Sequence, residues 1–513
     1  MQNKNEVMLI LEGTYPFNGG GVSTWAHSLC SQVSNVDFSL YTINANFEVA
    51  SNYVLSEQVK NVIQVPIWSP LEPQELVDYG KKYHKFVSRK EKDDCEAIQQ
   101  EFIPLFKELL GHIYAPVQEP KAIDQTVFRL WKFFQNHDYK KTMKSWAVWR
   151  CFYETTTGIA QNDGHYDVSL YDLTVGMRWI YRFLLPISIP VPKVDVTHLT
   201  LSGFPVLPAL VLKYKYGTPM VLTEHGVFIR ERLIAINTSE YSFFLKNLLI
   251  RFSECITKLA YYKADKIVSV NKFNRGWELK YGADLKKIEV VYNGIDETVF
   301  VPKEKPAHLK DIPTVVAAAR VFELKDIITM IRSCAVVQKV IPNVRYIVYG
   351  DAEAVPSYTT ACRELITELH LENNFIFAGH HETPSELFCE GDVSILTSIS
   401  EGFPYTVIES MSCGVPVVAT DVGGVGEALD ESCGYLCKPK DFEALGNRVI
   451  ELLQNEELRK KMGENARRKV IQNFTITKFI NAYEKIYDSL MQSPVDKTIY
   501  LHSNQEEMTM EAS

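Results

Sequence analysis

The run from Asp392 to Gly424 constrains the fold more than any other stretch of the chain. Asp392-Val-Ser-Ile-Leu-Thr397 and Val415-Pro-Val-Val-Ala-Thr420 are apolar enough to read as buried strands, the pattern of a parallel sheet covered on both faces. Between them the spacing predicts a helix. Pro404 suits its first position, where the missing N–H costs nothing, and Gly414 suits the position just past its end. At such a start the N–H groups of Phe403, Tyr405 and Thr406 are left unpaired, which makes an anion site. Glu401 stands just before this start. Glu409 lies about five residues inside, roughly 7–8 Å along the axis, with its side chain leaning back toward the N-terminus. Two carboxylates bracketing an anion site suit a diphosphate with a sugar on one side and a ribose on the other.

The same strand-then-helix rhythm recurs elsewhere. In the first half, strands are expected at Val7–Gly13, Phe38–Ile43, Val62–Val65, Asp195–Thr200, Thr218–Glu224 and Ala264–Val270, and a strand with a turn within Lys287–Asp296. In the second half they are expected at Thr314–Val321, Val344–Gly350, Phe375–Gly379, Val393–Thr397 and Val415–Thr420, each followed by a helical segment, as doubly wound sheets require. Residues 71–150 differ: glycine is scarce, and Leu105, Leu109, Val127, Leu130 and Phe134 keep helical spacing. They read as a helical insertion. A chain of 513 residues is too long for one ordinary core. The expected division is a first domain over 1–300, a linker over 301–312 with several prolines and lysines, and a second domain over 313–475. A helix over 476–492 then packs back on the first domain, and a polar tail over 493–513 is disordered.

Composition narrows the function. A net charge of -9 argues against nucleic acid as a partner, which demands a basic face. The N-terminus leads straight into a strand and lacks a signal peptide's pattern. The longest apolar run, Trp179–Pro192, is broken by Arg182 and three prolines, too short to span a bilayer; it reads as a buried helix end with a turn, or as a lipid-surface contact. The ten cysteines have no framework spacing and read as free thiols in a reducing cytoplasm. No zinc-type spacing is present, so no metal site is expected.

Three further groups are candidates for ligand contact. Gly19, Gly20 and Gly21 follow the first strand and open a helix, so backbone can approach a ligand there; a turn needed only for packing has the same pattern. His225 sits where a strand ends, on the side where open α/β sheets bind ligands, and a structural histidine is the alternative. Arg230 and Arg232 behind it suit an acidic ligand or plain ion pairs. Arg320, at the end of the second domain's first strand, and Lys325, near the next helix start, suit stabilisation of a diphosphate leaving group; two surface cations are the alternative.

Taken together, Ser400-Glu-Gly-Phe-Pro, Glu409 and Gly414-Val-Pro-Val-Val-Ala-Thr-Asp-Val-Gly-Gly resemble the signature of family-4 retaining glycosyltransferases. Arg320 and Lys325 match that family's diphosphate-binding pair. Leu11-Glu-Gly-Thr-Tyr-Pro-Phe-Asn-Gly-Gly-Gly-Val-Ser-Thr-Trp25 and Leu222-Thr-Glu-His-Gly-Val-Phe-Ile-Arg-Glu-Arg232 are similar to the PelF-like branch, which acts in exopolysaccharide synthesis. The resemblance covers residues 7 to about 490. It departs at Ala319, where the family often has Gly, at Asp326, where many members have Gly, and at Ala352 in Tyr349-Gly-Asp-Ala352.

The resemblance implies an α/β GT-B fold, two Rossmann-like doubly wound domains facing a cleft, the first on the acceptor side and the second binding the nucleotide sugar. It implies a retaining, metal-independent hexosyltransferase with a nucleotide-sugar donor, UDP-linked, and a polysaccharide acceptor, with no cofactor. Catalytic roles fall to Glu401, His225, Arg320 and Lys325. Binding roles fall to Gly19, Gly20, Gly21, Glu409, Phe403, Pro404, Tyr405 and Thr406. Glu409 is expected to hold the ribose, and Glu401 to orient the donor sugar. By the same resemblance the protein is cytoplasmic and contacts an inner-membrane polysaccharide synthase complex. A non-catalytic nucleotide-sugar-binding subunit and a nucleotide-sugar epimerase share the fold and remain the alternatives.

Overall fold

Each half of the chain builds a sheet because its apolar runs are short, β-branched and joined by helices rather than hairpin turns. The computed structural model describes residues 4–48, 50–69, 94–162, 164, 167–381 and 383–492. It divides into two compact units. The first comprises residues 1–269, 275–289 and 483–513, and the second 270–274 and 290–482.

The first unit holds seven strands: β1 (Asn5–Glu12), β2 (Val36–Asn44), β3 (Val59–Pro66), β4 (Val196–Leu199), β5 (Met220–Glu224), β6 (Lys266–Ser269) and β7 (Ile288–Val290). Their order is β3-β2-β1-β4-β5-β6-β7, and β1 pairs in parallel with both β2 and β4. The order reverses between β1 and β4, so loops leaving these two strands part and open a crevice, the usual ligand position of such sheets.

Between β3 and β4 the described chain is helical. The helices include Ile103–Tyr114, Pro120–Asn136, Trp146–Asn162 and Leu170–Leu184, and a 3₁₀ turn ends at Ser188. Helical segments thus run from Cys95 to Ser188, beyond residue 150; residues 70–93, with all of the charged run after Ser88 except Asp94, lie outside the described residues. Helix Pro120–Asn136 shows why these segments fold as they do. Ile123, Val127, Leu130 and Phe134 are buried, whereas Lys121, Gln125 and Lys132 are exposed, the stripe expected of a helix with one face in a core. That core is shared: Met8 and Ile10 of β1 belong to the same apolar cluster as Phe102, Phe106 and Phe134. The Trp179–Pro192 run is interior too, with Ile180, Phe183, Leu185 and Ile187 buried. No helix of the described residues is long and apolar enough to cross a membrane.

The second unit holds β8 (Thr314–Ala318), β9 (Arg345–Tyr349), β10 (Phe375–Gly379), β11 (Val393–Leu396), β12 (Val417–Thr420) and β13 (Gly434–Cys437). They are ordered β10-β9-β8-β11-β12-β13, and every neighbouring pair runs parallel. Here the reversal falls between β8 and β11. The edge strand β13 has no counterpart among the expected strands, because four residues split by a half-exposed Tyr435 give no apolar run. The chain's last helix, Ile476–Gln492, begins among residues of the second unit and ends among those of the first. The tail expected to be disordered lies outside the described residues.

Candidate functional site

The second unit gathers its expected residues around the β8/β11 reversal. Arg320 follows β8 and is exposed, its guanidinium carbon 5.1 Å from the centre of the Phe322 ring. Lys325 ends a short 3₁₀ turn, Glu323–Lys325. The loop after β11 is tied to that turn by Ile399 N–H donating to the Leu324 carbonyl at 2.8 Å and by Thr397 Oγ1 donating to the Lys325 carbonyl at 2.9 Å. These ties bring Lys325 Nζ to 2.5 Å from Glu401 Oε1. Ser398 Oγ donates to the same oxygen at 2.5 Å. The lysine expected to meet phosphate and the glutamate expected to meet sugar thus form one ion pair, held on a third side by a serine. Ser398 carries no signal as a single residue in the sequence. Its role follows only from lying three residues before Glu401 at a strand end.

One of the sequence departures has a physical explanation, and one retained residue a physical need. Asp326 adopts a left-handed backbone, φ 47°, which Asp tolerates better than most non-glycine residues. Its carboxylate caps helix Ile327–Gln338, accepting from Thr329 N at 3.3 Å and from Thr329 Oγ1 at 2.7 Å. Aspartate therefore replaces glycine's backbone freedom with a side-chain cap. Gly350 keeps the one glycine the Tyr349-Gly-Asp-Ala352 loop requires, since a Cβ there would stand 2.3 Å from the Ala319 carbonyl oxygen.

Pro404 is the residue before helix Tyr405–Ser412, with extended backbone at φ -73°, ψ 124°, rather than its first helical residue. The correction is one position, and its cause is that Phe403 anchors the entry. Phe403 is buried, its ring 5.0 Å from that of Tyr292 and 5.1 Å from that of Phe474, and its carbonyl accepts from Asn293 Nδ2 at 2.7 Å. No side chain caps this helix, and the amides of Tyr405 and Thr406, its first two residues, have no intrahelical acceptor. Glu409 is the fifth residue of the helix. Burial pushes its carboxyl up to about 7. The Glu401 loop is shaped from the other side by Gly423 and Gly424. Gly424 N–H donates to the Gly402 carbonyl at 2.8 Å, and a Cβ on Gly423 would stand 1.8 Å from the Glu401 carbonyl oxygen.

In the first unit, Gly20 precedes helix Gly21–Gln32 at φ 136°, a backbone open to glycine, and no side chain caps this helix either. Gly19, Gly20 and Gly21 are all exposed, and a Cβ on Gly19 or Gly20 would meet nothing within 4 Å. His225 lies just past β5, its ring 4.6 Å from that of Trp25 and nearly perpendicular to it. Burial lowers its pKa to about 3, so the imidazole is neutral near pH 7. The wholly buried His198 was not anticipated. Its two ring nitrogens bond to Tyr487 Oη and Thr223 Oγ1, each at 2.7 Å, and its ring is 5.3 Å from Trp25. A histidine on a short apolar strand gives no sign of such a partner from the far end of the chain. Arg232 is attracted to Glu12 at the end of β1, which the residue order does not reveal.

Comparison with known proteins agrees with this architecture. Residues 5–286 match the family described as Domain of unknown function (DUF3492), and residues 301–469 match Glycosyl transferases group 1. N-acetyl-alpha-D-glucosaminyl L-malate synthase of Bacillus anthracis is 32% identical over 213 residues, 40% of this chain and 55% of that protein. The match thus spans about half of that relative's length. Sucrose-phosphate synthase from Thermosynechococcus elongatus superposes with a TM-score of 0.61 over 95% of this chain and 99% of its own, at 15% identity. Anabaena HepE in complex with UDP superposes with a TM-score of 0.50 over 58% of this chain and 79% of its own, at 21% identity. Two parallel, doubly wound sheets with these neighbours define the GT-B fold. The chain belongs to the family described as Domain of unknown function (DUF3492), and its second half is a member of Glycosyl transferases group 1.

Proposed function

We propose that the chain is a retaining, metal-independent glycosyltransferase that moves a hexose from a UDP-linked donor to a growing exopolysaccharide of the Pel type. In this reading residues 313–475 bind the donor, residues 1–300 the acceptor, 301–312 link them, and the enzyme works at the cytoplasmic face of an inner-membrane synthase complex. The observation that carries it is the Lys325–Glu401–Ser398 cluster beside an uncapped helix start, at the strand-order reversal of the second sheet.

The chemistry follows from charge. As the bond between the sugar and the diphosphate breaks, negative charge grows on the leaving phosphate. Arg320, Lys325 and the amides of Tyr405 and Thr406 stabilise that charge more than they stabilise the ground state, which is what lowers the barrier. The acceptor hydroxyl attacks from the face the diphosphate leaves, and a phosphate oxygen takes its proton. Glu401, fixed by Lys325 and Ser398, orients the donor sugar. Glu409 accepts hydrogen bonds from the ribose, and the neutral His225 meets the sugar as a hydrogen-bonding partner rather than a cation. Gly20 and Gly21 let bare backbone approach the substrates. The UDP complex of HepE supports uridine as the base, and the likeness of Leu11–Trp25 and Leu222–Arg232 to PelF-like sequences supports the polysaccharide acceptor.

The test is a thermal-shift panel of UDP-, GDP- and ADP-sugars, followed by transfer assays on Lys325→Ala. A UDP-sugar is expected to raise the unfolding midpoint, and the variant to fold normally yet transfer nothing. No shift with any donor, or full activity of Lys325→Ala, would overturn the proposal.

A further inference from the structure

Two cysteines from separate segments of the second unit, Cys389 and Cys413, meet thiol to thiol. Cys389 lies in the 3₁₀ turn Leu387–Glu390, and Cys413 is the first residue past helix Tyr405–Ser412. They share one small apolar cluster with Val316, Phe388 and Val415, and their sulfurs are hydrogen-bonded to each other. Each thiol also reaches a carbonyl of its own: Cys389 Sγ stands 3.5 Å from the Val301 oxygen and Cys413 Sγ 3.7 Å from the Ser385 oxygen. Closing the pair to a disulfide's bond length of about 2.05 Å draws together a turn and a helix end, and leaves every sheet hydrogen bond in place.

The two sulfurs are not equivalent. The Cys413 thiol, the Lys303 backbone N–H and the Lys303 ammonium hold the Cys389 thiol down to about 7, against burial and the Glu386 carboxylate. Cys413 is pushed up by the same hydrogen bond and by burial, with the Cys389 and Glu409 charges adding to this and Arg467 opposing it. Burial alone pushes up the thiols of Cys30 and Cys334, the ordinary condition of a cysteine in a core. Cys389 thus carries the thiolate, which is the nucleophile, and Cys413 keeps its proton. The pair lies just under the surface. Cys389 is 6% exposed and Cys413 3%, while the Lys303–Glu386 ion pair beside them is open to solvent. Such exposure excludes a bulky oxidant and admits hydrogen peroxide, which is scarcely larger than water.

We propose that Cys389 and Cys413 form a peroxide-sensitive modification site, in which Cys389 is oxidised first and Cys413 resolves it into a reversible disulfide. The Cys389 thiolate attacks one peroxide oxygen, the O–O bond breaks, and the departing hydroxide takes up the proton that Cys389 had released. The product is a Cys389 sulfenic acid. The Cys413 sulfur then attacks the sulfenic sulfur: the S–S bond forms, the S–O bond breaks, and the hydroxyl leaves as water with the Cys413 proton. Two thiols have given two electrons to one peroxide, which ends as two waters, and a dithiol reverses the change by exchange. Because the Cys413 amide donates to the Glu409 carbonyl at 3.0 Å, the new bond also fixes the end of the helix that carries Glu409.

The experiment treats the full chain with hydrogen peroxide, blocks the remaining thiols with iodoacetamide in denaturant, and maps the products by mass spectrometry without reduction. A glutamate-specific protease is used because it cuts between the two cysteines, at Glu390, Glu401 and Glu409, where trypsin has no site. The expected product is a linked peptide pair, lighter by two hydrogens and separated by dithiothreitol. It should form about tenfold faster than Cys334 is oxidised, as the larger thiolate fraction of Cys389 requires. In Cys413→Ser the link is lost and Cys389 collects as a sulfenic acid, trapped by dimedone; in Cys389→Ser, Cys413 stays reduced. Should a variant fail to fold, the ratio of Cys389 to Cys334 oxidation in the wild-type chain still decides. Three results overturn the inference: both thiols stay free while the exposed Cys95 is oxidised, Cys389 reacts no faster than Cys334, or Cys413 is oxidised as fast in Cys389→Ser as in wild type.

Discussion

Replacing Gly423 by alanine tests how tightly the Glu401 loop is built. Gly423 has φ 56°, which costs an L-residue roughly 1–2 kcal/mol. Its new Cβ would stand 1.8 Å from the Glu401 carbonyl oxygen and 2.8 Å from the carbon. Relieving that contact to 3.0 Å moves backbone by about 1.2 Å. Glu401 reaches Lys325 and Ser398 at 2.5 Å each, so the same displacement carries its carboxylate out of hydrogen-bond range of both. Hydrogen bonds to charged groups contribute roughly 1.5–3 kcal/mol each; with Lys325 partly open to solvent, the lower end applies. The expected total is about 4–5 kcal/mol, with transfer falling about 100-fold, as a misplacement of about 1 Å at a reacting centre does. Gly379→Ala is the control. It has φ 73° and nothing within 4 Å of a Cβ, so it should lose only the backbone cost, about 1–2 kcal/mol. Denaturant unfolding, UDP-sugar affinity and transfer rate are measured on both. Equal stability losses, with donor binding intact in Gly423→Ala, would refute the reasoning.

Other expectations concern charge and capping. Glu409→Ala should abolish transfer while leaving the fold intact, as judged by circular dichroism; residual transfer near the wild-type rate would remove the ribose role. Because burial raises the Glu409 pKa to about 7, above its ordinary 4.5, its cost to stability is absent at pH 4 and grows as pH rises to 7. Glu409→Gln should therefore raise the thermal midpoint at pH 8 and leave it nearly unchanged at pH 4.5; the opposite ordering refutes the assignment. His225, with its pKa lowered to about 3, should keep neutral-imidazole nitrogen shifts between pH 8 and pH 5, and a titration near pH 6.5 would contradict this. Asp326→Ala loses the cap on Thr329 but keeps the strained backbone, so it should cost about 1–2 kcal/mol. Asp326→Gly should cost less, because the strain disappears with the cap, and a larger loss in the glycine variant would show that strain is unimportant there.

The fold was legible because parallel strands are apolar runs, and apolar runs survive in a one-dimensional reading. Val315 and Val393 pair as neighbours in the sheet, and nothing but their patterns was needed to expect a strand at each place. Spacing also carried the local site: Pro404, Glu409 and Gly414 belong to one continuous segment, and only the exact cap position differed, where Phe403 packing prevailed over proline's preference. What escaped were contacts between segments far apart in the chain. Lys325 and Glu401 are 76 residues apart, and their ion pair arises from the β8/β11 crossing, which no local pattern encodes. The attraction of Arg232 to Glu12 and the bond of His198 to Tyr487 escaped for the same reason. The strand β13 was lost because its burial comes from the neighbouring β12 rather than from its own residues.

The last helix has a consequence for how the molecule comes into being. Tyr483 and Tyr487 are buried in the first unit, where they bond to Thr223 and His198, and Glu484 and Asp488 bond to Ser34 and Asn35. During synthesis the first sheet emerges long before these partners exist. Until some 480 residues have been made, His198 and Thr223 lack the hydroxyls that satisfy them, so the first unit cannot reach its final state vectorially. The second unit, by contrast, is complete at residue 482, partway along that helix. The order of assembly is thereby reversed relative to the order of the chain, and the final turns of helix decide when the first unit closes. Shortening the chain just before Tyr483 should thus destabilise residues made hundreds of positions earlier.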